Sequence, residues 1–265
     1  MRLSPKPVTV NTLRHMKSEA QKITCLTAYD AGFAHVLDEA GIDVVLVGDS
    51  LGMVIQGHDT TIPVTMDDML YHTRCVARGL DRALLMADMP FMSYTDPDVA
   101  LLNAGKLLQE GGAHMVKLEG NSRQADVVSR LSQEGIPVCA HLGLRPQFVH
   151  KLGGYRMQGT DGPSAESMRR DASVLVDAGA DLLLLECVPA SLSEEITRDV
   201  PLPVIGIGAG PGCDGQILVL QDILGITPGR TPGFAKNFLT GQQGIPDAVQ
   251  AYVLAVRDGT FPSGS

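Results

Sequence analysis

The sequence predicts an α/β fold, a (β/α)8 TIM barrel with an N-terminal helix closing the barrel floor. Three observations lead there. Eight short apolar runs recur along the 265 residues, amphipathic segments separate them, and the runs lack the strict alternation of a half-exposed sheet. Continuous apolar strands are buried on both faces, as in a parallel sheet covered by helices. A doubly wound open sheet uses the same alternation with fewer strands, and the count of eight favours the barrel.

In chain order, residues 10–21 read as the floor helix. The strand candidates are ITCLTAYD (23–30), DVVLVGDS (43–50), ALLMADMP (83–90), HMVKLEG (114–120), PVCAHLGL (137–144), DLLLLECV (181–188), PVIGIGAG (203–210) and QILVLQDIL (216–224). Thr65-x-x-Asp68 reads as a capping box for the helix after the second strand. Asp96 as N-cap and Pro97 at the first helical position open the next helix. Leu101, Leu102, Gly105 and Leu108 are expected on one face of it, and Gly111 is expected to stop it. Ala125, Val128 and Leu131 repeat at helical spacing before Gly135, and Ser191-x-x-Glu194 reads as a second capping box. GIPDAVQAYVLAVRDGTF is expected to be a helix packed outside the barrel, and the closing PSGS to fray.

Hydrophobic residues make up 44% and charged residues 19% of the chain, the composition of an ordinary soluble globular protein. A chain of about 300 residues buries about 75% of its unfolded surface, so no disulfide or structural metal is needed to hold the core. Residues 1–265 are read as one domain, with no low-complexity linker or composition shift. The 21 basic and 30 acidic side chains give a net charge of −9, which argues against nucleic acid or an anionic membrane as partner. The five cysteines are widely spaced without a CxxC pair, which fits a reducing compartment and neither a zinc site nor a disulfide framework. There is no apolar h-region near the N-terminus, and no run approaches the roughly 18 apolar residues of a membrane span. A soluble, cytoplasmic protein is expected.

The strand ends carry the chemistry. Reading only the C-terminal end of each strand candidate gives Asp30, Asp49 with Ser50, Asp88, Lys117 with Glu119, His141 and Glu186. In a parallel barrel those ends share one rim, where ligands bind. A charge at the end of a buried strand costs several kcal/mol unless it is paired, metal-bound or exposed in a cleft. The bland alternative for each acid is a helix cap or an ion-pair partner. Asp49, Asp88 and Glu119 come from neighbouring strands and would repel one another without a cation between them. All-oxygen ligation suits Mg2+. Lys117 shares a strand face with Glu119, either as a cation for a substrate carboxylate or oxyanion or as a salt-bridge partner. His141 is either a substrate donor or a satisfied barrel histidine. Glu186 follows four leucines, a setting that raises a carboxyl's pKa and suits a general base. The Gly-rich GIGAGPGCDGQ (206–216) does not fit G-x-G-x-x-G; it is either an anion loop or a tight turn.

With these residues in hand, the chain resembles the ketopantoate (3-methyl-2-oxobutanoate) hydroxymethyltransferase family of the phosphoenolpyruvate/pyruvate barrel superfamily. The resemblance runs in order through ITCLTAYDAGFA, VGDSLGMVIQGHDTTIPVT, YHTRCVARG, ADMPFMSY, VKLEG, VCAHLGLRPQ, GADLLLLECVP and IGIGAGPGCDGQILVLQD. It implies one Mg2+ per subunit, held by Asp49, Asp88 and Glu119, some contacts passing through water. It also implies keto-acid contacts from Asp49, Ser50, Asp88, Lys117 and His141, with Glu186 as proton acceptor. By the same resemblance the chain transfers a hydroxymethyl group from 5,10-methylenetetrahydrofolate to 3-methyl-2-oxobutanoate. The products are 2-dehydropantoate and tetrahydrofolate, formed through a metal-stabilised enolate in pantothenate biosynthesis. The implied assembly is a homodecamer of two stacked pentameric rings, and segment 51–63 is the candidate covering loop.

Asn121, Arg145, Gln221 and Gly233 depart from the pattern expected of the family. None of them is in the metal or base set. An isocitrate-lyase-like lyase is the nearest rival, but its KKCGH-type motif is absent. A non-catalytic keto-acid-binding barrel is a second rival, against which the intact Glu186 argues.

Overall fold

The structure is a computed structural model describing residues 6–263. Gly264 and Ser265, part of the closing segment expected to fray, lie outside the described residues, as do residues 1–5. Eight parallel strands close into a barrel in sequence order. They are β1 Ile23–Thr27, β2 Val44–Val47, β3 Leu84–Asp88, β4 Met115–Glu119, β5 Val138–Gly143, β6 Leu182–Glu186, β7 Val204–Ile207 and β8 Gly215–Leu218. The helices are α1 Val10–Ser18, α2 Ala31–Glu39, α3 Leu51–Val54, α4 Met66–Ala77, α5 Pro97–Gln109 and α6 Ala125–Gln133, followed by α7 Val149–Leu152, α8 Gly162–Asp177, α9 Ala190–Asp199, α10 Leu220–Leu224 and α11 Ile245–Arg257.

The apolar residues divide into two layers by strand parity. Ile23, Cys25, Leu46, Met86, Met115, Cys139, Leu184 and Ile217 form one buried cluster inside the barrel. Their neighbours Leu26, Val45, Leu85, Val116, Ala140 and Leu185 belong to a second cluster between strands and helices. Because side chains alternate along a strand, residues two positions beyond the inner cluster also point inward. Those residues include Asp88 after Met86, Lys117 and Glu119 after Met115, His141 after Cys139, and Glu186 after Leu184. The same parity that packs the lower barrel therefore aims the charged residues at the centre of the upper rim.

α1 closes the floor, as the sequence predicts, although it ends at Ser18. Val8 and Leu13 join the inner cluster, with Val10 and Met16 against it. Thr9 and Thr12 form the capping box that starts the helix. Lys17 Nζ lies 2.8 Å from Asp214 Oδ2 and donates to Thr197 O, which ties the helix to the barrel bottom. At the other end of the chain, α11 packs on the outside, and Tyr252 Oη donates between β1 and β8, to Cys25 O and Gln216 O.

Several local expectations are corrected. The eighth strand ends at Leu218, and the following residues form α10, all five of them buried. A short apolar run does not distinguish a strand from a buried helix, and here the helix wins. α5 begins as expected at Asp96 and Pro97, but it buries Ala100, Ala104 and Leu107, leaving Leu102 69% exposed. Ser191 lies inside α9, whose N-cap is Pro189 without a side-chain bond, so the second capping box is absent. Asp30 is not a site residue: it is exposed and caps α2 by accepting from Phe33 N–H at 2.9 Å. The Gly-rich connection 208–214 between β7 and β8 carries no helix. It is a packed turn in which Ala209 O accepts from Ser193 Oγ and Gly210 O from Gln216 Nε2.

Candidate active site

Asp88 and Lys117 are partners in the register of β3 and β4, and Glu119 and His141 are partners in that of β4 and β5. Parallel pairing thus brings four polar side chains to two successive levels at the top of the barrel interior. Asp49 lies two residues beyond the end of β2, where the chain turns into α3. Its backbone N–H donates to Asp88 Oδ2 at 3.0 Å. Gly48 permits this approach, since a Cβ there would meet Ser50 Oγ at 2.8 Å and Asp88 Oδ2 at 3.4 Å. Glu186 ends β6 beside Gly143, where a Cβ would lie 2.2 Å from Glu186 O and where φ is +93°. A side chain at Gly143 would push the Glu186 backbone away.

The charges are buried. Asp49, Asp88, Lys117, Glu119 and His141 are all at most 4% exposed. Lys117 Nζ stands 2.5 Å from Asp88 Oδ1, so the salt-bridge alternative for this lysine is realised. Burial works against its ammonium, but Asp88, Glu119 and Asp49 together hold its pKa above the ordinary lysine value. Burial, then repulsion from Asp88, pushes Asp49 up to about 7. Burial, then Asp49, raises Glu119 as well. Burial pushes Glu186 up to about 7, with Lys117 pulling the other way. His141 sits between two acids, its Nε2 3.3 Å from Glu186 Oε2 and its Nδ1 3.8 Å from Glu119 Oε1. Burial, then Lys117, holds its pKa well below the ordinary value, so its imidazole is neutral.

Every sequence-predicted site residue except Asp30 is brought to this rim. Ser50 is set slightly aside, its Oγ 2.8 Å from Tyr29 Oη. Sequence reasoning missed Gln147 and Tyr94. Gln147 Nε2 donates to Asp49 Oδ2 at 2.9 Å, and its backbone N–H donates to Glu119 Oε2 at 3.0 Å. Tyr94 Oη donates to Gln147 Oε1. A search for charges at strand ends passes over an uncharged amide in the loop beyond β5. Its signal was a polar residue following Pro146, six positions after His141.

The rim fits a hard divalent cation. Asp49, Asp88 and Glu119 offer three carboxylates against the single ammonium of Lys117, an excess that a divalent ion would balance. Glu119 Oε1 and both His141 nitrogens are buried without a hydrogen-bond partner. Among the described residues, no three His, Cys, Asp or Glu side chains stand close enough to make a complete metal cage. A Mg2+ ion held by these three acids would therefore take much of its coordination from water, with part of the carboxylate contact passing through that water.

The unusual residues lie outside this centre. Asn121 accepts from Arg123 N–H and caps the 3₁₀ turn after β4. The Arg145 guanidinium lies 4.2 Å over the Phe148 ring. Both residues line a cavity of about 270 Å³ beside the ends of β4 and β5. Gln221 is buried in α10 with its Oε1 unpartnered, and Gly233 is exposed.

A family model described as ketopantoate hydroxymethyltransferase matches residues 7–264. A 3-methyl-2-oxobutanoate hydroxymethyltransferase of Alkalilimnicola ehrlichii is 62% identical over 260 residues, spanning 98% of this chain and 94% of the relative. The protein of the same name from Halorhodospira halophila is 60% identical over 255 residues, spanning 96% and 92%. Among solved structures, a putative phosphonomutase from Burkholderia cenocepacia J2315 superposes with a TM-score of 0.62 at 17% identity, covering 82% of this chain and 95% of that one. A phosphonopyruvate hydrolase in complex with oxalate and Mg++ gives a TM-score of 0.60 at 14% identity, covering 79% and 80%. At such identities the structural likeness speaks to the fold.

Proposed function

The chain belongs to the ketopantoate hydroxymethyltransferase family of transferases, and from that premise we propose that it carries a hydroxymethyl group from 5,10-methylenetetrahydrofolate to 3-methyl-2-oxobutanoate. The observation that carries this reading is the buried rim, where a base with a raised pKa faces a set of carboxylates and one ammonium. Asp49, Asp88 and Glu119 would hold a Mg2+ ion. When bound, such a cation supplies Lewis acidity toward the carboxylate and 2-oxo oxygens of the keto acid.

The chain's own residues do the rest. Glu186 takes the proton from C3 of the keto acid, and its raised pKa makes it an effective acceptor near neutral pH. His141 is neutral, and its Nε2 lies 3.3 Å from Glu186 Oε2, beside the carboxylate that accepts the proton. Lys117 contributes a fixed positive charge toward the oxygen that becomes electron-rich. Ser50, oriented by Tyr29, donates to the substrate carboxylate. C3 then bonds to the methylene carbon of the folate as its two carbon–nitrogen bonds break and one water supplies the new hydroxyl, so that keto acid, methylenetetrahydrofolate and water give 2-dehydropantoate and tetrahydrofolate. The covering loop is 51–63, whose Met53 Sδ lies 3.5 Å from Tyr155 Oη of the segment after β5, so that two rim segments meet. This contact supports a cover that excludes bulk water.

The assembly we propose is the homodecamer, and the compartment the cytoplasm. Five free thiols fit a reducing compartment. Among the described residues, no helix is long and apolar enough to cross a membrane.

The test is proton exchange. Incubating the protein with 3-methyl-2-oxobutanoate and Mg2+ in D2O is expected to remove the C3 proton signal from the NMR spectrum. Glu186→Gln should retain keto-acid binding and lose exchange by a factor of about 10²–10⁴, the usual contribution of a positioned base. Absence of exchange in the unsubstituted protein, with or without tetrahydrofolate, would sink the mechanism. Near-normal exchange in Glu186→Gln would remove Glu186 from its role.

A further inference from the structure

Two of the buried carboxylates are clamped by one residue that the chemistry above leaves unused. Gln147 lies in the 3₁₀ turn Pro146–Phe148 after β5 and is 3% exposed. Its Nε2 donates to Asp49 Oδ2 at 2.9 Å and to Met89 O at 3.0 Å. Its backbone N–H donates to Glu119 Oε2 at 3.0 Å. Tyr94 Oη donates its proton to Gln147 Oε1 and accepts from Glu119 N–H at 3.3 Å. The amide therefore has one consistent orientation, with its oxygen on a hydroxyl donor and its nitrogen on two acceptors.

We propose that Gln147, held by Tyr94, is a positioning residue for the divalent cation. The inference rests on the metal-holding role given above to Asp49 and Glu119. A carboxylate terminus rotates over a broad, two-fold torsional profile, so a free acid presents either oxygen in many directions. Gln147 engages one oxygen of each acid, Asp49 Oδ2 and Glu119 Oε2, and leaves the other oxygen of each unengaged by it. Glu119 Oε1 is buried and has no hydrogen-bond partner. One residue of the β5 loop thus sets two ligands that arise from β2 and β4, on either side of β3, Asp49 through its side-chain amide and Glu119 through its backbone N–H. Partners of this kind, one step removed from a metal, typically contribute about 10- to 100-fold in metal affinity.

The experiment measures Mn2+ binding to the metal-free protein by electron paramagnetic resonance, without substrate. Gln147→Met keeps the side chain's length and removes the amide donors and acceptor, so Asp49 loses its partner while the backbone N–H to Glu119 stays. Its Mn2+ dissociation constant is expected to rise by about 10- to 100-fold. Tyr94→Phe, which leaves the Gln147 donations to Asp49 and Glu119 in place but frees the amide oxygen, should raise it by a smaller factor. At saturating Mg2+ the kcat of Gln147→Met should recover, while its half-saturation for metal moves in step with the binding constant. Val128→Ala, which removes packing from α6 away from the rim, should leave Mn2+ binding unchanged.

A Gln147→Met protein that binds Mn2+ like the unsubstituted chain overturns the inference and leaves the metal reading standing. Equal weakening by Gln147→Met and Val128→Ala overturns it too, since the effect is then one of general stability. If Gln147→Met does not fold, Tyr94→Phe decides: weakened binding supports the clamp, and unchanged binding overturns it. An unsubstituted protein that binds no Mn2+ removes the metal reading and the clamp together.

Discussion

Glu186 ends β6 above the inward-facing Leu182 and Leu184, and burial there is why its carboxyl is pushed up to about 7. Proton abstraction needs the carboxylate, so C3 exchange should rise as pH increases through about 7 and level off above it. His141 does not complicate this profile, because its imidazole is held neutral by burial and by Lys117. The NMR exchange rate followed across neutrality checks the prediction; a rate that falls with rising pH would be incompatible with Glu186 as base. Residue chemistry at the rim was largely legible in the sequence, because an ionisable side chain ending an apolar run stands out against its neighbours. Gln147 and Tyr94 did not stand out, since their role comes from contacts with residues 98 and 53 positions away. Asp30 stood out falsely: its strand-end position matched the pattern, but its side chain turns back to cap α2.

At the scale of elements, helix starts were readable where the capping chemistry is local. Thr65 accepts from Asp68 N–H at 3.2 Å, and Asp68 Oδ2 accepts from Thr65 N–H at 2.9 Å. Thr65→Ala should therefore destabilise the protein by about 1 kcal/mol, measured as a lowered denaturant midpoint with unchanged slope. An unchanged midpoint would show that tertiary packing alone holds the start of α4. Ser191-x-x-Glu194 carries the same sequence signature without the cap, because the turn after β6 begins α9 two residues earlier, behind Pro189. In α5 the expected face is displaced. The helix presents Ala100 and Ala104 inward, small residues that let it lie close to the sheet, while Leu102 faces out. The leucines marked hydrophobicity, whereas the closeness of packing decided which face is buried.

Over the whole molecule, Tyr71, Leu102 and Leu254 lie more than half exposed on the outer helices α4, α5 and α11. Exposed apolar side chains on an outer surface are natural material for subunit contacts. If the chain assembles as the homodecamer, light scattering should return about ten times the 28.1 kDa of one chain. A mass of one chain at micromolar concentration would exclude that assembly.

By itself the sequence determined the barrel, its floor helix and the identity of the charged rim. Each depends on patterns within a few residues of one another: apolar runs, a cap, a polar residue where a run ends. Only the tertiary structure decided that Lys117 faces Asp88, that His141 lies between Glu119 and Glu186, and that Gln147 reaches across the rim to Asp49. The physical reason is closure. Strand parity selects which side chains point inward, but the register and curvature of the closed barrel set the distances between residues far apart in the chain. Those distances make a set of separately costly buried charges into a single site.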